Sequence, residues 1–286
     1  MPRVRAALFA CAASFVAVAA AGETPNAPAA PPLTAGEARA FLDSQLVASP
    51  YRLPASALAG EIRYRLAMPP DWRWPHTGEQ RGIAIADAPA GEIELAVCAD
   101  CGDEAPPSAT DLQRFLRANA WVRSDDRRVR AFARANAHGR SADARMRALT
   151  AAVRTHMTGG IDFTRYDDAA TALDSRSGDC TEFAVLLAAT ARAVGLPARI
   201  AHGLSYSGRM NGRPHVFVPH AWVQVWDGRR WASYDAALGQ FDAGHIALII
   251  GDGDPVVARD FDRAVRALRI VDAAGIARNG PVANRQ

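Results

Sequence analysis

The sequence contains no lysine: all 33 basic residues are arginines, and they stand against 30 acidic residues. The net charge of only +3 argues against a nucleic-acid partner and against a polybasic membrane-binding surface. After residue 21, no stretch approaches the roughly 20 apolar residues of a membrane-spanning helix, so we expect no permanent span. No repeat period is present. With 49% apolar residues, the chain can nevertheless bury a sizeable core.

Cysteine is scarce as well, with four residues in 286. Cys98 and Cys101 form a C-x-x-C pair, and no second pair exists to complete a tetrahedral zinc site. For an exported protein we therefore rank a small-loop disulfide first, free thiols second and metal binding last. A redox role for the pair is a weak alternative, because no helical pattern begins at Cys98.

The first 21 residues contain two arginines, an apolar run and small residues that end in Ala19-Ala20-Ala21. This pattern is typical of a secretory signal peptide, so we expect a periplasmic or secreted protein. Cys11 lies in the middle of the apolar run, too early for a lipidation site, which leaves a lipoprotein as the lesser alternative. Residues 22–36 are rich in proline, alanine and glycine and predict a flexible linker.

Beyond the linker, the pattern divides the chain into three further parts. Residues 37–106 contain a short amphipathic piece and then apolar runs broken by proline and glycine, which predict a small β-rich N-terminal region. Residues 107–255 form the expected main domain, and residues 256–286 a C-terminal helix and tail. Helical spacing of apolar residues predicts helices at 108–120, 126–137 and 142–156.

A further helix is predicted from about residue 180 to 194. Asp179 and Glu182 form a capping-box pattern at its start, and Gly195 followed by Pro197 supplies a stop. Cys180 lies in its first turn, where backbone N–H groups and the helix dipole stabilise a thiolate and an oxyanion. From this segment alone, an activated nucleophile and a buried structural cysteine remain equal alternatives.

A hairpin pattern follows, PHAWVQVWDGRRWASYDAALG, beginning at Pro219. A two-residue turn at Asp227-Gly228 places His220 directly across from Asp235, with Cβ atoms roughly 5 Å apart. A four-residue loop makes them diagonal neighbours on the same face, and only a three-residue loop separates them. A carboxylate beside an imidazole fixes its tautomer, as the general base of a thiol requires; the alternative is an accidental surface pair.

The motifs GDCTEFAVLLAATARAVGLPAR, PHAWVQVW and WASYDAALG together resemble the transglutaminase-like superfamily of papain-like thiol enzymes. The resemblance covers about residues 108–252. It implies an α+β fold in which the cysteine-bearing helix packs on an antiparallel sheet. It also implies Cys180 as the nucleophile, His220 as the base and Asp235 as the residue that orients the base. Tyr166 and Trp121 are unranked candidates for a second oxyanion donor.

Two functions follow from these residues. The first is thiol-dependent acyl transfer on a carboxamide or peptide bond of a protein or peptide substrate, ending in hydrolysis or in transfer to an amine, with no metal or organic cofactor required. Without lysine, the chain cannot cross-link to itself through a glutamine–lysine bond, except through its N-terminal amine. The second is a non-catalytic peptide- or envelope-binding module with the same fold. Oligomeric state stays open.

Three other features have plain interpretations. Residues 205–214 predict a loop between two strands, which either lies over the cleft, with Arg209 or Arg213 holding an acidic group, or is an ordinary solvated loop. His202 lies on an alternating strand face and is predicted to be a hydrogen-bonded histidine at the edge of the core. The segment 251–255 lacks the calcium-loop pattern and predicts a turn.

Overall fold

A computed structural model describes residues 34–160, 166–277 and 280–282. The helices are α1 (Ala35–Gln45), α2 (Ala55–Leu58), α3 (Ala109–Arg114), α4 (Arg127–Asn136), α5 (Ala142–His156), α6 (Ala169–Ser175), α7 (Cys180–Ala193) and α8 (Ala258–Ala267). The strands are β1 (Val47–Ala48), β2 (Glu61–Ala67), β3 (Gln80–Ile83), β4 (Glu92–Val97), β5 (Thr158–Gly159), β6 (Ser177–Gly178), β7 (Ala198–Met210), β8 (Arg213–Trp226), β9 (Trp231–Tyr234), β10 (His245–Gly251), β11 (Arg269–Ala277) and β12 (Gly280–Val282). The fold is α+β, as expected.

The main sheet is antiparallel, with the order β1-β8-β7-β10 and with β9 paired to β8. Helix α7, which begins at Cys180, is buried along most of its length and packs on this sheet together with α4, α5 and α6. The cysteine-bearing helix on an antiparallel sheet is therefore confirmed. The short parallel pair β5-β6 leads directly into the start of α7.

A second antiparallel sheet has the order β12-β11-β2-β4-β3. Strands β2 to β4 come from the expected β-rich region, but β11 comes from the C-terminal segment, which continues beyond α8 as strands rather than as a tail. It pairs with β2 from Arg269↔Ala67 to Ile276↔Glu61. A period-2 pattern identifies strands and does not identify which distant strands pair, so sequence reasoning could not join these two ends of the chain.

The two sheets and the helices enclose two main cores, and the long β7-β8 hairpin contributes to both. Near its base, Ile200 and Val223 join the core beneath α7. Nearer its tip, Leu204 and Phe217 join the core shared with the second sheet. Tyr64 of β2 packs edge-on against Phe217, with ring centroids 5.7 Å apart. The stretch of β8 that carries His220 therefore lies between the two cores, where packing holds it firmly.

The tip of this hairpin differs from the expected loop at 205–214. Strand pairing continues to Met210↔Arg213, so only Asn211 and Gly212 form the turn, both with positive φ. The Arg213 guanidinium donates to the carbonyl oxygen of Asp43 in α1, and Arg209 donates to Gly212. Both hydrogen bonds therefore end on backbone carbonyl oxygens and not on an acidic group over the cleft.

The helices in the middle of the chain follow the expected spacing except for the first. Helix α3 ends at Arg114 instead of near residue 120. Downstream, the Asn119 side chain accepts hydrogen bonds from the N–H groups of Trp121 and Val122, which builds a turn where the helix was expected to continue. Helices α4 and α5 match the expected ranges within a residue.

At the N-terminus, the described chain begins at Thr34, which caps α1 in a capping box with Glu37. The predicted signal peptide at 1–21 lies outside the described residues, as does most of the predicted linker; residues 35 and 36 are already helical. None of the helices within the described ranges combines the length and the apolar character needed to cross a membrane.

Candidate active site

Cys180 is the first residue of α7, directly after the N-cap Asp179. The capping box is present: the Asp179 carboxylate accepts from the N–H of Thr181 at 2.8 Å, and Glu182 accepts from the N–H of Asp179 at 2.9 Å. Gly178 is required here, because a Cβ at that position would lie 2.4 Å from the Cβ of Glu182. The predicted placement of Cys180 at the helix start is confirmed.

The electrostatic surroundings of the thiol differ from the sequence expectation of a lowered pKa. Burial raises the pKa of Cys180 well above its ordinary value, and the charges of Asp179 and Glu182 raise it further, while the backbone N–H of Ala221 acts in the opposite direction. The physical reasons are that the sulfur is withdrawn from water and, second, that the capping box places the carboxyl groups of Asp179 and Glu182 near it. The helix dipole is thus opposed by its own cap.

Glu182 itself sits in an unusual environment. Its two carboxylate oxygens accept from the N–H groups of Asp167 and Asp179, both at 2.9 Å. Burial and the neighbouring charge of Asp179 nevertheless raise the pKa of Glu182 to about 8. A buried carboxyl group that accepts from two backbone N–H groups therefore fixes the segment that carries Cys180.

The hairpin loop is four residues long, not two as predicted. Trp226 pairs with Trp231, and the Asp227 side chain accepts from the N–H groups of Arg229 and Arg230. This side-chain turn at Asp227 competes successfully with the tight Asp-Gly turn. His220 and Asp235 consequently become diagonal neighbours on one face, as expected for a four-residue loop.

Despite the shift in register, the two side chains meet. The Nε2 of His220 lies 2.6 Å from Oδ2 of Asp235, and both residues are buried. The other ring nitrogen of His220, Nδ1, is not bonded to Asp235. The next residue along the chain, Ala221, directs its backbone N–H at the thiol of Cys180. The opposing position on β7 is Gly203, where a Cβ would lie 2.0 Å from the carbonyl oxygen of Ile246.

A residue that sequence reasoning missed completes this cluster. His245, at the start of β10, places its Nε2 3.1 Å from the same Oδ2 of Asp235. Its Nδ1 lies 3.1 Å from both the carbonyl oxygen and Oδ1 of Asp242. The backbone N–H of Leu238 donates to Oδ1 of Asp235 at 2.9 Å. The only local signal was the D-x-x-H spacing before a strand, which says nothing about Asp235.

The charges in this cluster follow from its hydrogen bonds. Burial acts to raise the pKa of Asp235, but the charges and hydrogen bonds of His220 and His245 outweigh it and hold that pKa well below its usual range. Burial acts to lower the pKa of His245, but the carboxylates of Asp235 and Asp242 outweigh it and raise the pKa to about 9.

The nitrogen and oxygen atoms of His220, Asp235 and His245 lie within 4.8 Å of one another, a spacing that also suits metal ligands. Here two N–H groups point at one carboxylate oxygen, and these hydrogen bonds account for the proximity.

The two candidates for a second oxyanion donor pack edge-on against each other, with ring centroids 5.2 Å apart. The Tyr166 hydroxyl donates to the carbonyl oxygen of Gly253 at 3.1 Å, so its single proton is already engaged. Burial, followed by the charge of Glu182, raises the pKa of Tyr166 well above its usual range, and the charge of Cys180 contributes, so the phenol lies near the thiol. The backbone N–H of Trp121 is bonded to Asn119, and its indole N–H has no bond partner among the described residues.

Beneath the hairpin lies a buried polar network that also escaped sequence reasoning. Glu79 accepts from the N–H of Ser233 at 2.7 Å and from its hydroxyl. Gln224 donates to Glu79 at 3.4 Å and accepts from Arg199 at 2.9 Å. Burial raises the pKa of Glu79 to about 7 in spite of these bonds. The network lies two positions before Asp235 on β9, so it braces the strand that leads to that residue.

The C-x-x-C pair lies next to this network. Cys98 and Cys101 are joined as a disulfide, with Cα atoms 5.6 Å apart. The enclosed Ala99 accepts a hydrogen bond from the guanidinium of Arg230, which also lies 3.6 Å from Asp100. The small disulfide loop thereby contacts the loop between β8 and β9.

His202 lies on a strand, as expected, but its hydrogen bonding differs from the expectation. It is buried on β7, but its Nε2 has no hydrogen-bond partner within the described part of the chain. Its ring lies 6.0 Å from that of Phe261 in α8. Burial lowers the pKa of His202 to about 4, so the ring is held neutral, and the expected hydrogen bond is missing at Nε2 in the described part of the chain. The segment after Gly251 bends as expected, and Arg192 donates to Asp252 there.

Comparison with known proteins gives one family. Residues 130–236 match the model of the transglutaminase-like superfamily. Among curated protein sequences, none matches the chain.

Several solved structures are similar at low identity. A candidate cysteine protease from Cytophaga hutchinsonii is 17% identical, with a TM-score of 0.47 over 76% of this chain and 82% of that one. The periplasmic domain of TgpA from Pseudomonas aeruginosa is 16% identical, with a TM-score of 0.43 over 85% and 99%. Red sea bream transglutaminase is 13% identical, with a TM-score of 0.37 over 67% and 48%.

These TM-scores lie below 0.5, so the assignment rests on the family match. That match begins in α4, includes all of α7 and ends directly after Asp235. The matched segment thus contains Cys180, His220 and Asp235, while His245 lies beyond it. Over residues 130–236, the chain is similar to the transglutaminase-like superfamily.

Proposed function

We propose that this protein is a thiol-dependent acyltransferase or hydrolase that acts on a carboxamide or peptide bond of a protein or peptide. Sγ of Cys180 forms a bond to the carbonyl carbon, and its proton passes to His220. The C–N bond then breaks, and His220 returns the proton to the departing amine or ammonia. Water or a second amine attacks the resulting thioester and releases Cys180 as a thiol.

The observation that carries this proposal is the buried contact between His220 and Asp235. His220 directly precedes Ala221, whose backbone N–H is directed at the thiol of Cys180. Because Nε2 of His220 is bonded to Asp235, the imidazole is held in the tautomer that leaves Nδ1 to exchange a proton with the sulfur. Asp235 stabilises the imidazolium that forms when the thiol is deprotonated. The burial of both groups strengthens this interaction.

The helix start supports the same chemistry. The N–H of Cys180, at the first position of α7, has no intrahelical acceptor and suits the developing oxyanion. The indole N–H of Trp121 is a better second donor than the Tyr166 hydroxyl, whose proton is bonded to Gly253. Since the surroundings raise the thiol pKa, deprotonation accompanies attack instead of preceding it.

The test combines a glutamine-containing protein, such as casein, with a fluorescent primary amine. Incorporated fluorescence reports transfer, released ammonia reports deamidation, and mass spectrometry of the peptides reports cleavage. Every activity should disappear in Cys180→Ala, with a loss on the order of 10⁵-fold or more. Cys98→Ser/Cys101→Ser is the matched control, because it alters two other cysteines and retains the nucleophile.

The alternative is a binding module that retains the fold without catalysis. It predicts no Cys180-dependent product in any of the three assays, although the wild type and Cys180→Ala capture peptides equally well. A pull-down with Cys180→Ala followed by peptide identification would then give the ligand. The buried His220–Asp235 pair favours the enzyme, because a peptide-binding surface has no need of a buried ionisable pair.

We also propose that the protein is exported. The pattern of residues 1–21 and the Cys98–Cys101 disulfide support an oxidising compartment. Expression of the full chain in a bacterium, followed by fractionation and N-terminal sequencing, should give a periplasmic or secreted protein that begins after Ala21. Material that remains in the cytoplasm with Met1 intact would refute export.

A further inference from the structure

We infer that His245 is a second positioning residue of the proposed site: as a buried imidazolium, it shares Asp235 with His220 and sets the pH at which His220 can accept the thiol proton. The inference rests on the proposed function, because it concerns the base of that reaction. It adds a residue that lies outside the segment matched to the superfamily.

The charge of His245 follows from geometry. Nε2 faces Oδ2 of Asp235, and Nδ1 faces the carbonyl oxygen and Oδ1 of Asp242, each at 3.1 Å, while the backbone N–H of Asp242 lies 3.3 Å from Nδ1. The oxygen atoms accept hydrogen bonds, and the two that face Nδ1 lie closer to it than the single backbone N–H group of Asp242, so these contacts favour a proton on each ring nitrogen. A ring with both nitrogens protonated is an imidazolium. The raised pKa of about 9 agrees with this state at neutral pH.

The position of His245 is fixed by the turn before it. The Asp242 side chain accepts from the N–H of Gly244 at 2.8 Å, and the Asp242 carbonyl accepts from the N–H of His245 at 3.1 Å. The rings of Trp222 and Phe241 pack against His245, with centroids 5.2 and 5.0 Å away. This packing leaves the imidazolium few alternatives to its two carboxylates.

The ionisable groups that face His245 are few. Asp235 reaches it from the end of β9, His220 from β8 and Asp242 from the preceding loop. From the second sheet, the Tyr64 hydroxyl donates to the carbonyl oxygen of Ala243 at 2.7 Å. The facing position on β7 is Ser205, which does not titrate.

The consequence concerns the proton on His220. The rings of His220 and His245 lie 5.7 Å apart, and the positive charge of His245 partly offsets the negative charge of Asp235. Asp235 can therefore orient His220 through a hydrogen bond while part of the Asp235 charge is offset by His245. Without the charge of His245, Asp235 acts on His220 at full strength, and His220 retains its second proton to higher pH.

The experiment uses ¹⁵N-labelled full-length protein and long-range ¹H–¹⁵N spectra of the histidine rings. In the wild type at pH 7, His245 should show both nitrogens protonated. In His245→Gln, whose amide can still donate to Asp235, the pH midpoint at which His220 gains its second proton should rise by about one unit. The acidic limb of kcat/KM should move upward by the same amount.

His202→Gln is the matched control, since it removes a buried histidine from the neighbouring strand without touching Asp235. It should leave the midpoint unchanged. A neutral His245 ring in the wild type at pH 7 would overturn the inference, even if His245→Gln failed to fold. An unchanged midpoint in a folded His245→Gln would also overturn it. Failure of the proposed function is a separate result, because it appears as a lack of Cys180-dependent products while the spectra remain readable.

Discussion

The nucleophile side and the base side of the candidate site are built in opposite ways. Around Cys180, the hydrogen bonds of the helix cap join residues two or three positions apart, and the charge that acts most strongly on the sulfur is that of the Asp179 carboxylate. Around His220, the contacts join three strands, and one carboxylate is shared between two imidazole rings. Negative charge lies beside the sulfur, and positive charge is held on the sheet.

This difference explains how the site can remain unreactive at rest. Burial and the carboxylate of Asp179 favour the neutral thiol, so a thiolate is disfavoured before substrate binds. In the proposed mechanism, the thiolate forms only when His220 accepts the proton and Asp235 stabilises the resulting charge. Activation thus depends on the sheet, and the helix start contributes mainly position and an N–H donor for the oxyanion.

The largest expected effect comes from removing the acceptor that the base side shares. Asp235→Asn should lower kcat by about 10³ to 10⁴-fold, because an amide cannot accept from both rings and can hold the wrong tautomer of His220. Stopped assays of ammonia or amine transfer measure the loss. Asp125→Asn, at an exposed position, is the control. Activity within about threefold of wild type in Asp235→Asn would remove Asp235 from the mechanism.

The same comparison shows what a sequence can predict. Local signals defined the nucleophile side: the capping box, the stop at Gly195 and the start of α7 at Cys180 were all predicted. The hairpin was predicted too, but its loop length was wrong, because the Asp227 side chain closes a longer loop. His220 and Asp235 still share one face, because a register shift of two residues keeps side chains on the same face of the sheet.

The remainder depends on contacts between distant segments. Nothing near His245 indicates Asp235, because only the arrangement of β8, β9 and β10 brings them together. Pairing of β11 with β2, and the contact of Glu79 with Ser233, join residues more than 150 positions apart. The thiol pKa was also mispredicted, because a helix dipole is a local property and burial is not.

The second expected effect concerns the buried hydrogen bonds of Glu79 with Ser233, on the strand that leads to Asp235. Because the folded-state pKa of Glu79 is raised from 4.5 to about 7, its contribution to stability is complete below pH about 4.5 and is lost as pH rises through about 7. The loss amounts to about 3 kcal/mol for this group. Glu79→Gln mimics the protonated form, so its free energy of unfolding should fall less between pH 5 and 8. Urea titrations at both pH values measure the difference; parallel pH dependence in the two proteins would contradict this account.

A third effect concerns the disulfide loop that contacts the hairpin loop. Cys98→Ser/Cys101→Ser should lower the free energy of unfolding by about 2 kcal/mol, as expected for a short closed loop. Activity should fall less than in Asp235→Asn, since the disulfide reaches the site only through Arg230 and the β8-β9 loop. In the wild type, alkylation followed by peptide mass analysis should label Cys98 and Cys101 only after reduction; equal labelling of the wild type without reductant would exclude the disulfide.

The smallest effect sharpens the contrast between the two sides most directly. Asp179→Asn retains a side chain that caps helices well but removes the carboxylate charge that acts most strongly on Cys180. The thiol pKa should fall by about one unit, so alkylation by iodoacetamide near pH 7 should accelerate by up to about tenfold. The rate is measured from pH 5 to 10 with Cys98 and Cys101 kept oxidised, so that Cys180 alone reacts.

The matched control is Asp168→Asn, which alters the N-cap of the neighbouring helix α6 in the same way. Asp168 accepts from the N–H groups of Ala170 and Thr171 and is not among the groups that shift the thiol pKa. Its alkylation profile should therefore coincide with that of the wild type. If Asp179→Asn leaves the profile unchanged while its thermal stability is intact, burial alone suppresses the thiolate and the cap carboxylate has no part in it. If both variants shift equally, the effect comes from a general loosening of the helical layer.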